Sequence, residues 1–377
     1  MKQAEESYFK QKSRIKWLKE GDQNTKYFHG MMAARQKRNT ISVLTDLEGH
    51  KLISYDQMSN EAVTFFQKLI GTVDEKVEGC PQPLLQELLG VSLPEEAIPE
   101  LIRQVTPEEV KSSMFSIGSD KSPGLDGYTS HFFKAAWHIV GDDVEKAIIS
   151  FFQTSRLIPA FNSTIMALIP KCQNPNNIKE FRPISCCSVV YKGITKIIAT
   201  RMKKFMPTII GSNQSTFIFG RSITNNILMA HELVRGYGRS TLSPRYAIKI
   251  DLQKTFDSLD WNFILDILTV LKFSSLFIEW IRSYLTGARF SISLNGILVG
   301  YFKGARGVRQ GDPLSPYLFV LAINVLSKML DAAANYEVFK FHPKCKKVQL
   351  THLCFADDLL IFAKGDKESV IGVQKVL

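Results

Sequence analysis

Two adjacent aspartates, Asp357 and Asp358, interrupt an almost wholly apolar run from Leu353 to Phe362. The run is about as long as two short strands and a tight turn, so we predict a β-hairpin. Two ionised carboxylates repel each other, and leaving them half-buried without a partner costs on the order of several kcal/mol. A bound divalent cation reverses the sign of that interaction. The pair is therefore a candidate metal site. The alternative is an ordinary turn that contains aspartate and binds no metal.

A third carboxylate, Asp251, lies near the end of another predicted strand. The residues of this strand alternate between two faces, Tyr246, Ile248 and Ile250 on one and Ala247, Lys249 and Asp251 on the other. Carboxylates without histidine or cysteine are the ligands that Mg²⁺ prefers. Two such ions about 4 Å apart can activate a hydroxyl and stabilise a departing pyrophosphate. The acids therefore suit nucleotidyl transfer, with Mg²⁺ as the ion and Mn²⁺ as an alternative.

The overall charge agrees with a nucleic-acid partner. Lysine and arginine total 47 against 36 aspartate and glutamate residues, which gives a net charge of +11. Such an excess favours a polyanion, although many unrelated soluble proteins are equally basic. The six cysteines include no Cys-x-x-Cys pair, and the longest apolar stretch, Tyr317 to Ile323, is far shorter than a membrane span. We expect an intracellular protein in a reducing compartment, with no membrane partner.

Local patterns predict a mixed chain of helices and strands. Helix starts are predicted at Ser92 and Thr106, each with a proline and acidic residues in the first turn. The runs IMALIP and FRPISC have the pattern of strands, and a basic helix is predicted from Tyr191 to Phe205. The N-terminal segment mixes cations with aromatic residues such as Trp17. That mixture is typical either of nucleic-acid contact or of a solvated amphipathic helix.

Three segments resemble, in order, the core motifs of reverse transcriptases: AIKIDLQKTFDSLDW, GARGVRQGDPLSPYLFVLAINVLSKML and LTHLCFADDLLIFAKGD. With KSPGLDGYTSHFFKAAW, LIPKCQNPNNIKEFRPISCCSVVYK and QSTFIFGRSITNNILMAHEL, the resemblance covers nearly the whole chain and is greatest to plant LINE-type, non-LTR retroelements. It implies an α+β fold, a right-hand polymerase with fingers and palm. We expect a basic helical N-terminal extension over residues 1–105 and fingers and palm over 106–377, with the core motifs in 165–377.

The resemblance also assigns roles to the three acids and to one aromatic residue. Asp251 and Asp357 match the two metal-bridging carboxylates, and Asp358 completes or supports the metal site. Phe256 matches the aromatic gate that excludes a sugar 2′-hydroxyl and so selects deoxynucleotides. A phenylalanine that only packs in the core is the alternative.

Four further residues match nucleotide-binding positions of the family. Gln310 and Gly311 match the loop that lines the incoming nucleotide and the template, where glycine permits close backbone approach and the glutamine amide makes contacts. Lys171 and Arg182 match fingers positions that hold the triphosphate, as a point charge and as a bidentate fork. Either cation could instead lie on the surface without a ligand.

Two further motifs give weaker indications. A zinc site is disfavoured because the spacing of its possible ligands suits no structural zinc, the residues being His342, Cys345, His352 and Cys354. The short basic runs at 35–38 and 344–347 are candidates for nuclear targeting, or are simply solvated surface. We expect a nuclear location for an enzyme of this kind.

The implied substrates are an RNA template, a DNA primer and deoxynucleoside triphosphates, while the oligomeric state is not indicated. Because the sequence ends at Leu377, soon after the predicted hairpin, we expect a truncated copy without the thumb and the rest of the palm. An inactive nucleic-acid-binding remnant is therefore an open alternative to a working polymerase. A viral RNA-synthesising polymerase is disfavoured, because it would have a small or hydrogen-bonding residue in place of Phe256.

Overall fold

The structure, a computed structural model, describes residues 26–46, 48–238 and 243–377. The helices are α1 (Lys26–Asn39), α2 (Tyr55–Ile70), α3 (Gln82–Leu89), α4 (Ala97–Ile102), α5 (Pro107–Phe115), α6 (Ser130–Ala135), α7 (Trp137–Thr154), α8 (Val189–Lys203), α9 (Met206–Ile209), α10 (Ile223–Val234), α11 (Thr255–Ser258), α12 (Trp261–Val270), α13 (Ser275–Thr286), α14 (Ser315–Asn335) and α15 (Lys367–Val376). The strands are β1 (Leu44–Thr45), β2 (Lys51–Leu52), β3 (Ser163–Pro170), β4 (Phe181–Cys186), β5 (Arg245–Asp251), β6 (Arg289–Leu294), β7 (Ile297–Lys303), β8 (His352–Phe355) and β9 (Asp358–Lys364). The predicted mixture of helices and strands is confirmed.

Four strands form one sheet in the order β4-β3-β6-β7. The predicted strands IMALIP and FRPISC lie within β3 and β4, which pair antiparallel with Ile169 opposite Arg182. Strand β6 runs parallel to β3, and β7 returns antiparallel to β6. A parallel pair requires a crossover connection, and here the chain between β3 and β6 contains the whole of β5 and several helices.

A second sheet has the order β5-β9-β8, with antiparallel neighbours throughout. Strands β8 and β9 form the predicted hairpin, in which Phe355 lies opposite Asp358 and the turn consists of Ala356 and Asp357. Ala356 has φ 58°, in the left-handed region that alanine rarely adopts. The sequence prediction of a tight hairpin centred on the two aspartates is therefore confirmed.

The two faces of this second sheet are covered by different helices. One face packs against α14 and α15 through Leu359, Ile361 and Ala363, and the predicted face of Tyr246, Ile248 and Ile250 joins it. The other face packs Leu360 and Phe362 near α10 and the segment around Cys345. Lys249 and Asp251 stay exposed on this second face, so its covering stops short of the strand ends that carry the acids.

Helix α14 lies at the centre of the core, as its sequence requires. It begins at Ser315, with Pro316 in its first turn. The helix is long and apolar enough to cross a membrane by length and composition alone, and most of its length is buried inside the protein. Such burial is typical of a core helix in a folded domain. The expectation that the chain has no membrane partner stays a prediction.

The N-terminal half of the described chain shares that core. Met58 and Phe66 of α2 and Leu85 of α3 belong to the same hydrophobic cluster as α12, α13 and α14. The proposed boundary at residue 105 stays a prediction. Trp17 and most of the N-terminal segment that was predicted to contact nucleic acid lie outside the described residues; the part that is described forms α1.

One of the two predicted helix starts is confirmed and one is wrong. Thr106 caps α5, because its hydroxyl accepts a hydrogen bond from the Glu109 backbone N–H at 3.3 Å. Ser92 does not begin a helix. The next residue, Leu93, is buried and donates its backbone N–H to the Leu271 carbonyl at 2.9 Å, which fixes this segment outside a helix until Ala97. The predicted basic helix is found as α8.

Candidate active site

Strand register brings the three predicted acids to one end of the second sheet. Asp251, the last residue of β5, lies directly opposite Asp358, the first residue of β9. Asp357 is in the turn between β8 and β9, and its carbonyl accepts a hydrogen bond from the Leu252 N–H at 3.3 Å. Like charges placed directly opposite each other on neighbouring strands destabilise a sheet. The stability of the sheet therefore does not explain why these two carboxylates lie opposite each other.

Lys249 supplies a positive charge at this end of the sheet. Its ammonium lies 3.0 Å from the Asp358 carboxylate, although the lysine side chain is 68% exposed. The hydrogen bond to Asp358, together with the charges of Asp358, Asp251 and Asp357, raises the pKa of Lys249. The lysine is thus within electrostatic reach of all three acids. Sequence analysis placed it on the same strand face as Asp251 but gave it no role.

The donor set suits a hard divalent cation, since all three side chains offer carboxylate oxygens and none is fully buried. The oxygens of the three acids are not gathered as tightly as ligands around one ion. Within the described ranges, the potential ligand atoms that do lie within 4.8 Å of one another belong to a different group on a surface turn, Asp46, Glu48 and His50.

Phe256 follows Asp251 by five residues and lies in the short helix α11. Its ring is half-buried and stacks on the buried ring of Phe319, with centroids 4.6 Å apart and planes at 22°. Its carbonyl accepts a hydrogen bond from the Val308 N–H at 2.6 Å. The ring therefore packs on the core and also retains an accessible part. Its role as a sugar gate stays a prediction.

The predicted nucleotide loop lies beside Phe256. The Gln310 amide donates to both carboxylate oxygens of Asp257 at 3.1 Å, and the Gln310 carbonyl accepts from the Ser185 N–H of β4 at 2.9 Å. Gly311 has φ 99°, which only glycine adopts without strain, whereas a Cβ atom there would approach no other atom closer than 3.7 Å. Backbone conformation is thus the stronger requirement for this glycine.

Asp257 lies beside Gln310 and was not predicted from the sequence to belong to this site. It is only 8% exposed, and burial raises its pKa to about 6, while the hydrogen bond from Gln310 and the charges of Lys171 and Lys254 oppose that rise. A buried carboxylate with a raised pKa next to a predicted binding residue is a candidate for a functional position. In the sequence it stands among polar residues of TFDSLD, which reads as an ordinary turn.

Comparison with known proteins identifies the chain. Residues 169–377, more than half of it, match the family described as reverse transcriptase (RNA-dependent DNA polymerase). The chain belongs to the reverse transcriptase family. The matched range includes the three acids, Phe256 and the Gln310 loop, so the family match and the geometry concern the same residues.

Relatives of this reverse transcriptase domain include proteins of transposable elements. It is 28% identical over 353 residues to the uncharacterized 149 kDa protein of transposon TX1 from Xenopus laevis, covering 94% of this chain and 26% of that protein. It is 28% identical to the Pol polyprotein of the type-2 retrotransposable element R2DM of Drosophila melanogaster, covering 72% and 24%, and 25% identical to that of an R2 element of Nasonia vitripennis, covering 71% and 24%. The chain spans about a quarter of each relative. The predicted reverse transcriptase domain of a non-LTR retrotransposon is confirmed.

The two predicted triphosphate-binding cations of the reverse transcriptase lie at the edge of the first sheet. Arg182 is exposed on β4, and Lys171 follows β3, where its ammonium donates to the Lys179 carbonyl at 2.8 Å. Burial and the charges of Lys171, Lys179 and Arg306 lower the pKa of Lys254, and the charge of Asp257 opposes that shift. Lys254, which had not been singled out from the sequence, is therefore within electrostatic reach of both Lys171 and Asp257. The triphosphate role of Lys171 and Arg182 stays a prediction.

Beneath the Gln310 loop lies a buried polar network that sequence analysis also missed. Arg309 is 4% exposed, and its guanidinium donates to Asn162 and to the Tyr284 carbonyl and lies 4.6 Å from the centre of the Tyr191 ring. Asp312 is 3% exposed and accepts from the Leu314 N–H at 2.8 Å, at the start of α14. These two charges of the RQGDP segment hold the loop rather than face a substrate.

The four residues weighed as a zinc set have other surroundings. The His342 ring lies 3.1 Å from the Tyr237 hydroxyl, and the His352 ring lies 2.6 Å from the Ser327 hydroxyl. Burial lowers the pKa of both histidines to about 4. Both are therefore neutral side chains with hydrogen-bond partners in the core, and Cys345 and Cys354 are buried apolar neighbours.

Proposed function

We propose that this domain copies RNA into DNA by extending a DNA primer with deoxynucleoside triphosphates. The observation that carries the proposal is the register of the second sheet, which pairs Asp251 with Asp358 and places Asp357 beside them at an exposed strand end. In this reaction the primer 3′-oxygen forms a bond to the α-phosphorus, and the bond to pyrophosphate breaks. No protein nucleophile is required.

Asp251, Asp357 and Asp358 would hold two Mg²⁺ ions, with Mn²⁺ as an alternative. When bound, such ions supply charge that activates the primer hydroxyl and stabilises the leaving pyrophosphate. The protein supplies oxygen ligands from two different strands, and the sheet fixes their separation. Lys249 holds the Asp358 carboxylate by an ion pair, which offsets part of the repulsion among the acids.

The two sheets suit the architecture of a right-hand polymerase. In this proposal the three-stranded sheet is the palm, and the four-stranded sheet with the helices around it forms the fingers, within residues 106–377. Phe256 would exclude a sugar 2′-hydroxyl, Gln310 and Gly311 would line the nucleotide and template, and Lys171 and Arg182 would hold the triphosphate.

The partners proposed for the domain are an RNA template and a DNA primer, which the net charge of +11 favours through the release of counterions. A nuclear location is proposed from the short basic runs at 35–38 and 344–347. The proposal of a plant source rests on motif resemblance alone. Because the matched region is only about a quarter of each relative, the steps that the whole protein carries out belong to the proposal as well.

Primer extension on an RNA template tests this function directly. The purified domain is compared with the double variant Asp357→Asn, Asp358→Asn in the presence of Mg²⁺ and deoxynucleotides. The chain offers a matched control, because Asp142 and Asp143 form a second adjacent pair, exposed on α7. We expect extension by the domain and by the control Asp142→Asn, Asp143→Asn, and none by the hairpin variant.

Two other outcomes would contradict the proposal. Equal extension by the hairpin variant would show that the two acids do not hold the metal site. Binding of template and primer with a steep salt dependence, but no extension by any of the three proteins, would favour a nucleic-acid-binding remnant.

A further inference from the structure

The side chains of Asp257 and Gln310 form a buried contact behind the proposed nucleotide site. The Gln310 amide nitrogen lies 3.1 Å from each carboxylate oxygen of Asp257, which is only 8% exposed. Both residues line one small cavity together with Met166, Phe290 and Arg306. The contact lies where the loop before α14 meets the turn after β5, so it joins two segments of the fold.

The backbone holds these two segments together independently of the side chains. The Gly307 N–H donates to the Leu259 carbonyl at 2.7 Å, and the Val308 N–H donates to the Phe256 carbonyl at 2.6 Å. A Cβ atom at Gly307 would lie 2.6 Å from the Asp257 carbonyl oxygen, and its φ is 82°. The approach is so close that only glycine fits. Asp257 therefore has a fixed position relative to both Phe256 and Gln310.

An ionised carboxylate can only accept hydrogen bonds, whereas a glutamine amide has a donor end and an acceptor end. Asp257 therefore selects one of the two orientations of the Gln310 amide, with the nitrogen inward and the oxygen, Oε1, directed away from the carboxylate. In the part of the chain that the structure describes, no hydrogen bond involves Oε1 of Gln310. An acceptor is left available at the position where the family resemblance places the nucleotide.

We propose that Asp257 is a positioning residue that fixes the Gln310 amide so that its oxygen accepts a hydrogen bond from a hydroxyl or amino group of the bound nucleotide. The inference rests on the proposed polymerase function and adds a residue to it. Asp257 touches no substrate itself. Its effect is to remove the orientation in which the amide would present N–H groups to a donor on the substrate.

The surroundings of Asp257 make this device sensitive to pH. Lys254 from its own turn and Lys171 after β3 act on it by charge, and Arg306 and Arg309 line the same cavity. These cations favour the ionised form, but burial outweighs them and raises its pKa to about 6. Below that pH the protonated acid can donate to Oε1, which allows the amide to turn over. The available acceptor is then lost.

The first test is steady-state primer extension by the wild-type domain and by Asp257→Asn, with deoxynucleotide concentration and pH varied between 5.5 and 8. Asparagine keeps the shape but can accept or donate, so both amide orientations become available. We expect the KM for the deoxynucleotide to rise about fivefold at pH 8 with little change in kcat, which is the usual cost of one side chain that must be ordered on binding. In the wild type the same KM should rise as pH falls through about 6, and in Asp257→Asn it should not.

The matched control is Asp260→Asn, three residues further on. Asp260 caps α12 by accepting from the Phe263 N–H at 2.8 Å, and asparagine caps equally well. We expect this variant to keep the wild-type KM and its pH dependence. If Asp257→Asn also keeps them while the wild type extends primers, the inference is wrong and the proposed function stands.

A second measurement does not depend on polymerase activity. Urea unfolding of the wild type, Asp257→Asn, Gln310→Met and the double variant forms a double-mutant cycle for the contact. We expect a non-additive change of about tenfold in the unfolding constant at pH 8, which shrinks at pH 5. Additive effects at pH 8 would overturn the positioning role even if the domain proved inactive.

Discussion

Replacing Arg309 by methionine should be among the most destabilising single changes in this domain. The guanidinium is 4% exposed and donates to the Asn162 carbonyl at 3.0 Å, the Asn162 side chain, the Tyr191 hydroxyl and the Tyr284 carbonyl at 3.3 Å. Its positive charge also interacts with the buried carboxylate of Asp312. Burial raises the pKa of both Tyr191 and Tyr284, and the charge of Arg309 opposes that rise.

The expected loss in the free energy of unfolding follows from the buried groups that no longer have a partner once the guanidinium is removed. Methionine fills the space of the arginine stem but leaves two carbonyls and the Asp312 carboxylate without their cationic partner. Removing one member of a buried charged network costs about 3–5 kcal/mol. Because a domain is stable by only about 5–15 kcal/mol, that is a large share of the total. With a urea slope of about 2–3 kcal/mol/M, the unfolding midpoint should fall by roughly 1.5 M.

Urea unfolding followed by circular dichroism measures this change. Arg289→Met is the matched control, because Arg289 is exposed on β6 and lies over Tyr301, with its guanidinium 5.4 Å from the ring centre. We expect the control to shift stability by at most about 1 kcal/mol. A loss below about 1 kcal/mol for Arg309→Met, equal to the control, would refute the account of the buried network.

Three further predictions follow from single residues. Burial raises the pKa of Asp257 from 3.8 to about 6, so its contribution to stability is fully present below pH 3.8 and is lost as pH rises through about 6. Between pH 4 and pH 8 the free energy of unfolding of Asp257→Asn, measured with urea, should therefore gain up to about 3 kcal/mol relative to the wild type. A difference that stays constant with pH would contradict this. Ala356→Gly should raise the free energy of unfolding by about 0.5–1 kcal/mol, because glycine adopts φ 58° without strain, and a lowered thermal midpoint would count against it. Asp251→Asn should stabilise the fold by about 0.5 kcal/mol in metal-free buffer by removing the repulsion from Asp358, whereas a loss of stability would mean that the paired charges are not in conflict.

Periodicity and turn chemistry were sufficient to predict much of the second sheet. Alternation in β5 gave the correct faces, and the apolar run broken by Asp357 and Asp358 gave the hairpin. Such patterns are reliable because burial of one face dictates the register of every residue in a strand. The family resemblance alone predicted that Asp251 shares a site with Asp357 and Asp358, over a hundred residues away in sequence; the strand pairing of Asp251 with Asp358 was not predicted.

Contacts that depend on tertiary packing were not predictable from local sequence. Ser92 has the signals of a helix start, but the bond from Leu93 to the Leu271 carbonyl prevails over them. Asp257 and Arg309 read as polar residues of surface loops, since nothing nearby in sequence shows that both become buried. Buried charges are rare enough that sequence reasoning assigns them to the surface by default. Here they support the nucleotide loop.

Incorporation of a single nucleotide is the most direct test that the paired strands β5 and β9 carry a template-directed active site. An RNA template with one defined next base is annealed to a DNA primer, and each deoxynucleotide is offered singly with Mg²⁺ to the wild type and to Asp251→Asn. We expect the wild type to add only the complementary nucleotide and Asp251→Asn to add none while remaining folded. Equal addition by Asp251→Asn, or addition that ignores the template base, would contradict it.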